Sequence, residues 1–310
     1  MFKYTKNNHY QFRYDDSWLP QTKDFKNFYW KLGHVIDQEK TLSWREECIN
    51  AAKNMKQQAG REEITIAFSG GIDSEIAALS FLESGIKISL SFMKFKYDIN
   101  EYDFRYTKHF ASKHNLKLNI FELDLFDFLH NEAHTYIDQY MLTSPQYPTH
   151  LWLLDQLDCY VVFCGGDLRL YRRSNSKDRY YIIISTQSTA IFRRMLDTGK
   201  IGSPFFHIHS PEQVYSFLND PITKLWLKQS YSMKQDNIKW FKPVIYENSF
   251  PGLKPRTKKT GFELVQGYDD NFLRPKLKKE NSKRNRFSDF DLENLLLMLT
   301  NKKTDFINVV

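Results

Sequence analysis

Six consecutive residues, Ser69-Gly70-Gly71-Ile72-Asp73-Ser74, combine groups that can bind an anion with a carboxylate that cannot. The two glycines lack Cβ atoms, so their backbone can take unusual dihedrals and approach a phosphate closely, while the Ser69 and Ser74 hydroxyls can add hydrogen bonds. A carboxylate beside a phosphate repels it unless a cation lies between them, so Asp73 points to Mg2+ bridging phosphate oxygens. The spacing is neither that of the P-loop, which needs a Lys-Ser/Thr pair after its last glycine, nor that of the dinucleotide fingerprint, which needs a third glycine. The competing reading is a glycine turn that merely starts a helix, with Ser or Asp as its cap.

A second glycine and acidic segment, Gly165-Gly166-Asp167, follows the apolar run Cys159 to Cys164. Positive charge is concentrated further on. Lys and Arg number 44 against 37 Asp and Glu, a surplus of 7. Between Lys254 and Arg286 there are eleven basic and four acidic residues, which accounts for the whole surplus. The rest of the chain is close to neutral, which argues against a surface shaped throughout for nucleic acid.

The elements that position these residues read as alternating strands and helices. Thr41 to Gln58 has near-helical apolar spacing and stops at Gly60. Ile64 to Phe68 reads as a short buried strand, Ser69 to Ser74 as a turn and Glu75 to Glu83 as a helix. Ile86 to Met93 and Leu118 to Leu123 are further strands, with a helix over Glu101 to His114 between them. Leu125 to Tyr140 and Thr149 to Leu157 read as helices before the strand at Cys159 to Cys164. Such alternation predicts an α/β protein with a doubly wound parallel sheet. Beyond Thr186 it fades, with helix-like segments at Thr189 to Asp197, Pro211 to Asn219 and Asp289 to Thr300. Residues 1–40 are aromatic and polar without a clean period. The expected division is therefore an N-terminal cap (1–40), a nucleotide-binding domain (41–185) and a mostly helical, basic C-terminal region (186–310).

Composition sets outer limits. With 41% hydrophobic and 16% aromatic residues in 310, the chain can build a real core. No run approaches the roughly 20 apolar residues of a membrane helix. The start lacks the apolar stretch of a secretory signal, so the expectation is a cytosolic protein. Three cysteines, Cys48, Cys159 and Cys164, make neither a disulfide framework nor a zinc site and are expected to be reduced thiols.

The strand followed by Ser69-Gly70-Gly71-Ile72-Asp73-Ser74 resembles the SGGxDS signature of the PP-loop ATP pyrophosphatases, or adenine nucleotide α-hydrolases (the HUP type of fold), whose members include the synthetase domain of asparagine synthetase. The resemblance covers about residues 41–175. It implies that ATP and Mg2+ are bound, that Ser69, Gly70, Gly71, Asp73 and Ser74 grip pyrophosphate, and that Asp73 is a Mg2+ ligand. It also implies that an acceptor, a carboxylate or a nucleobase carbonyl, is adenylated with release of pyrophosphate before a nitrogen nucleophile displaces AMP. The tip of the next strand, Ser91, Phe92 and Met93, would lie against adenine. Gly165-Gly166-Asp167 resembles a shortened form of the family's second motif, with Leu168 and Arg169 where an acidic residue is expected, so only Asp167 is carried over as a second metal ligand. By the same resemblance a lysine C-terminal to the core faces the α-phosphate, which singles out Lys258 and Lys259, with Arg256 beside them.

Other readings stay open at this point. The segment 254–286, with its interleaved Phe262, Tyr268 and Phe272, suits a nucleic-acid-modifying or tRNA-thiolating relative. Cys164 at a strand end would carry the sulfur in that case, against a buried thiol as the simpler reading. A nucleotide-binding module without chemistry is the third, motivated by the shortened motif. His130 with His134, and His207 with His209, have metal-compatible spacing without a full ligand set. The chain begins Met1-Phe2 rather than with a glutaminase nucleophile, so the amine is expected from free ammonia, from an ammonia-supplying partner subunit or from the substrate itself.

Overall fold

Helix boundaries are set by local chemistry. The Ser43 hydroxyl accepts from the Glu46 N–H at 3.4 Å, and the Glu46 carboxylate accepts from the Ser43 N–H at 3.0 Å. This reciprocal cap starts α1 (Trp44–Ala59), which Gly60 ends at φ 60°. Before it, β1 (Tyr10–Tyr14) and β2 (Phe28–Leu32) pair antiparallel, so part of the region expected to be an irregular cap is a hairpin. After it come β3 (Ile64–Ala67), α2 (Ile72–Glu83), β4 (Ser89–Phe95), α3 (Glu101–Lys113) and β5 (Lys117–Leu123). Next are α4 (Leu125–Asn131), α5 (Ala133–Tyr140), α6 (Gln146–Asp155) and β6 (Tyr160–Val162). The remaining elements are β7 (Arg169–Arg172), β8 (Tyr180–Ser185), α7 (Ala190–Thr198), β9 (Gly202–Ser203), α8 (Pro211–Asn219), α9 (Pro221–Gln229), α10 (Ile238–Ser249), β10 (Phe287–Asp291) and β11 (Phe306–Asn308). The structure, a computed structural model, describes residues 10–14, 28–32, 41–140, 142, 144–165, 169–172, 180–185, 190–229, 238–254, 256–265, 287–291 and 306–308.

The central sheet has five strands in the order β5-β4-β3-β6-β9, and every pairing in it is parallel. Side chains alternate between two cores, as the twofold period of a strand requires. Ile64, Ile66, Leu90, Tyr160 and Val162 pack with α1, α2, α8 and α10, whereas Val161, Phe163, Phe95 and Leu123 pack with α4 to α7. Burial on both faces explains why these strands are apolar runs rather than alternating ones. The doubly wound parallel sheet expected from the sequence is therefore present.

From β3 the chain runs outward through β4 and β5 and then returns to β6 on the other side of β3. Between β3 and β6 the strand order reverses, and the crevice outside the carboxyl ends of such strands is where ligands bind in these sheets. The glycine loop follows β3 and Cys164-Gly165 follows β6, so both segments lie at that crevice.

Several expectations are corrected. The helix expected over Leu125 to Tyr140 breaks at Glu132 into α4 and α5. The helix expected from Asp289 instead begins inside β10, which pairs antiparallel with β8, and residues 292–300 lie outside the described ones. The two-residue β9, the pair β7 and β8, and helices α9 and α10 went unrecognised. Beyond residue 185, β9 completes the sheet and α8 and α10 enter the first core. Among the described residues no helix is long and apolar enough to cross a membrane.

Candidate active site

Gly70 sits in the left-handed region at φ 67°, and a Cβ there would lie 2.5 Å from Arg256 Nη2 and 3.2 Å from the Asp103 carbonyl oxygen. Only glycine fits both the dihedral and the space. Gly71 is the N-cap of α2 and provides no side-chain cap, so the competing reading of a capped helix start is not what the residues do. Its carbonyl accepts from the Ser74 hydroxyl at 2.8 Å and from the Glu75 N–H at 3.1 Å. The first-turn N–H groups of a helix lack intrahelical partners, and here they face the crevice with the positive end of the helix dipole. Ser69 and Ser74 hydroxyls lie 3.5 Å apart across the loop mouth.

Asp73, in the first turn of α2, is 34% exposed. The Tyr246 hydroxyl donates to its Oδ1 at 2.9 Å, and His207 Nε2 donates to its carbonyl oxygen at 3.1 Å while standing 3.8 Å from Oδ1. Trp44 stacks on Tyr246 at 4.7 Å and on His207 at 6.2 Å, so α1, α10 and the turn after β9 build one wall that orients this carboxylate. Tyr246 and His207 were missed from sequence as parts of the site. Both are far away in the chain; nothing local marks Tyr246, and His207 is marked only by its spacing to His209.

The opposite wall is a strap, residues 256–265, laid across α3. Arg256 Nη1 donates to the buried Asp103 carboxylate at 2.8 Å, Nη2 donates to the Gly70 carbonyl, and the guanidinium lies 3.9 Å above the Tyr106 ring. Lys259 donates its backbone N–H to Asp103 Oδ1 at 3.3 Å and carries its ammonium over the Tyr102 ring, away from the loop. Lys258 turns the other way, with Nζ donating to the Ser69 hydroxyl at 3.0 Å and 3.4 Å from where a Gly71 Cβ would be. The residue is exposed overall, yet desolvation holds the ammonium below the ordinary lysine range, with Arg256 pushing the same way and Asp103 and Asp73 opposing. The three cations singled out from sequence therefore separate: one faces the loop opening, one binds its back and one points elsewhere.

His150 on α6 and Cys164 after β6 share the field of Lys258. Burial, assisted by Lys258, lowers His150 to about 4, so its imidazole is neutral near pH 7. Burial raises the Cys164 thiol, with Asp73 adding to the rise, which keeps it protonated and favours the structural reading over a sulfur carrier. All three cysteines are free.

The remaining expected residues are placed as follows. Ala67 pairs with Ser91, which sets Phe92 and Met93 level with the start of the glycine loop, but β4 continues to Phe95, so they lie within the strand rather than at its tip. Ser91 shares a 2.8 Å hydrogen bond with the Thr65 hydroxyl, and Phe92 packs on Phe104 at 5.5 Å. At Gly165 a Cβ would lie 3.3 Å from the Pro204 carbonyl oxygen, so this glycine lets two chain segments touch. Gly166 and Asp167 lie outside the described residues. His130 and His134 fall on two different helices, and among the described residues no three His, Cys, Asp or Glu side chains converge on a metal position. His207 and His209 are buried, at 3% and 5% exposure.

No protein-family model matches the sequence, and no curated protein matches it. Among solved structures the chain is similar to the NMN synthetase of Francisella tularensis, at 14% identity and a TM-score of 0.33 over 73% of this chain and 92% of that one. It is likewise similar to the NH3-dependent NAD synthetase of Campylobacter jejuni, at 13% identity and a TM-score of 0.34 over 84% of this chain and 93% of that one. A third similar structure is the glutamine-dependent NAD+ synthetase of Acinetobacter baumannii in complex with ADP, at 11% identity and a TM-score of 0.33 over 82% of this chain and 50% of that one.

Proposed function

We propose that the chain is an ATP pyrophosphatase-type enzyme of the PP-loop kind, which joins AMP to an acceptor oxygen, releases pyrophosphate and then lets a nitrogen nucleophile displace AMP. The observation that carries this reading is the loop Ser69–Ser74 at the switch point of the sheet, with Gly70 left-handed, Lys258 Nζ at its mouth and Asp73 beside it.

Each residue has a distinct task. The first-turn N–H groups of α2 and the Ser69 and Ser74 hydroxyls bind pyrophosphate oxygens. Lys258 places fixed positive charge where the bond between the α-phosphorus and pyrophosphate breaks, and fixed charge in a partly desolvated site costs no reorganisation during reaction. Asp73 would hold a Mg2+ through its carboxylate, a hard oxygen ligand of the kind that ion takes. A bound Mg2+ supplies charge neutralisation on the leaving pyrophosphate. Asp167 as a second ligand belongs to the same proposal. The acceptor is a carboxylate or nucleobase carbonyl: its oxygen bonds to the α-phosphorus, and the nitrogen nucleophile then bonds to the acceptor carbon as AMP leaves.

Incubation with α-labelled ATP and Mg2+, with pools of amino acids, ammonia and bulk tRNA, tests the proposal. AMP with pyrophosphate, lost in Asp73→Ala, supports it; ADP, or tight ATP binding without turnover in any pool, overturns it. A nucleic-acid acceptor is the second reading, favoured by the exposed Lys254 and Lys259 at the start of the basic segment 254–286. It requires that tRNA stimulate AMP formation and that binding weaken steeply with salt.

A further inference from the structure

Arg256 stands beside an anion-binding loop, yet its charge is already matched. Asp103, 2% exposed, holds Nη1, the Tyr106 ring lies beneath the guanidinium, and Nη2 goes to the Gly70 carbonyl. The Nε–H is buried and has no partner among the described residues. An arginine stays protonated, and its rigid fork cannot satisfy Asp103 and Gly70 and also swing toward a ligand. Seen from the crevice, Arg256 and Asp103 nearly cancel.

The geometry does settle the direction of one peptide. In a trans peptide the C=O and the following N–H point to opposite sides of the chain. With the Gly70 carbonyl drawn toward Arg256, the Gly71 N–H must point away from the strap, toward the crevice. Gly70, free to rotate, would otherwise let this peptide flip. We infer that Arg256 is a positioning residue that fixes the Gly70–Gly71 peptide through its carbonyl, so that the Gly71 N–H is aimed at a bound pyrophosphate, and that Asp103 and Tyr106 hold Arg256 in that place. This deepens the proposed function and rests on it for the identity of the ligand.

The test uses a case in which charge and position predict opposite signs. Asp103→Asn removes a negative charge from beside an anion site, so charge alone predicts tighter binding of inorganic pyrophosphate. Positioning predicts binding weaker by about tenfold, because a displaced donor forfeits its contribution. Titration calorimetry with Mg2+-pyrophosphate reads the difference. Arg256→Lys, which keeps the charge and loses the fork, is expected to weaken binding to a similar extent, and the double variant to be no worse than either single one. Should Asp103→Asn fail to fold, Arg256→Lys carries the test, since it keeps the charge and loses only the fork. Selective 15N-glycine labelling supplies a readout independent of ligand: the Gly71 amide resonance is expected to move in each variant while those of Gly60, Gly85 and Gly199 stay.

Unchanged or tighter pyrophosphate binding in Asp103→Asn, or an unmoved Gly71 resonance, overturns the inference. If the unaltered protein binds neither ATP nor pyrophosphate, the proposed function falls, and the Gly71 resonance alone decides the positioning role.

Discussion

Asp103 and Asp73 flank the same loop, one on α3 and one on α2, and their surroundings differ in kind. Asp103 is 2% exposed and paired with a guanidinium, whereas Asp73 is 34% exposed and accepts a hydrogen bond from a neutral tyrosine hydroxyl. The first charge is balanced within the protein and can only hold structure. The second is partly exposed at the loop, with the Tyr246 hydroxyl on its Oδ1 and His207 alongside. Burial and partner type, not residue type, thus distinguish the two carboxylates.

The largest expected effect sets the two apart by stability. Asp103→Ala leaves the Arg256 charge buried without its partner, so urea unfolding should show a loss of about 3–5 kcal/mol. Asp73→Ala removes a partly exposed carboxylate that accepts from the Tyr246 hydroxyl and should cost less, about 1 kcal/mol. Equal losses would break the comparison. For AMP formation Asp73→Ala carries the penalty directly, a fall of about 10²- to 10³-fold at saturating ATP, the size seen when one transition-state stabiliser is removed.

The pH axis sharpens the contrast further. Burial pushes His209 down to about 4 from an ordinary 6.5, and His150 is lowered likewise. The unfolded chain therefore binds these protons at higher pH than the folded one. Their contribution is fully present above pH 6.5 and is lost as pH falls toward 4, by about 3 kcal/mol for His209 alone. His209→Gln should flatten that limb of the stability profile, and an unchanged limb would mean that His209 is protonated in the fold. On the alkaline side, Lys258 is held below the ordinary lysine range, so AMP formation should decline earlier than a solvated lysine would dictate. Lys258→Arg should move the decline to higher pH, because a guanidinium keeps its proton. The smallest effect belongs to Tyr246→Phe, about 1 kcal/mol in stability, with Mg2+ needed at higher concentration for half-maximal AMP formation. An unchanged Mg2+ requirement would place Asp73 away from the cation.

Much of the sheet was legible because its signals are local. Ile64 to Ala67 and Tyr160 to Val162 are short apolar runs bounded by polar residues and glycines, and their burial on both faces demands that pattern. β9 was illegible because Gly202 and Ser203 carry no apolar pattern and become a strand only by pairing with Val161 and Val162. The pairing of β1 with β2 went unread although Tyr10 to Tyr14 alternates aromatic with polar residues, because Phe28 to Leu32 does not and the register comes from the partner strand. In the site, the loop was evident at once, whereas Tyr246, 173 residues from Asp73, was not.

The stretch from Ile64 to Ser74 determined by itself that a buried strand hands over to a glycine loop at a helix start, because each of those features is encoded by neighbouring residues. Arg256, Lys258 and Lys259 are equally cationic and nearly consecutive, so nothing in their order says which one meets a ligand. That was decided only when the strap packed on α3, where the Tyr106 ring and the Asp103 carboxylate accept one guanidinium and leave a single ammonium at the mouth of the loop.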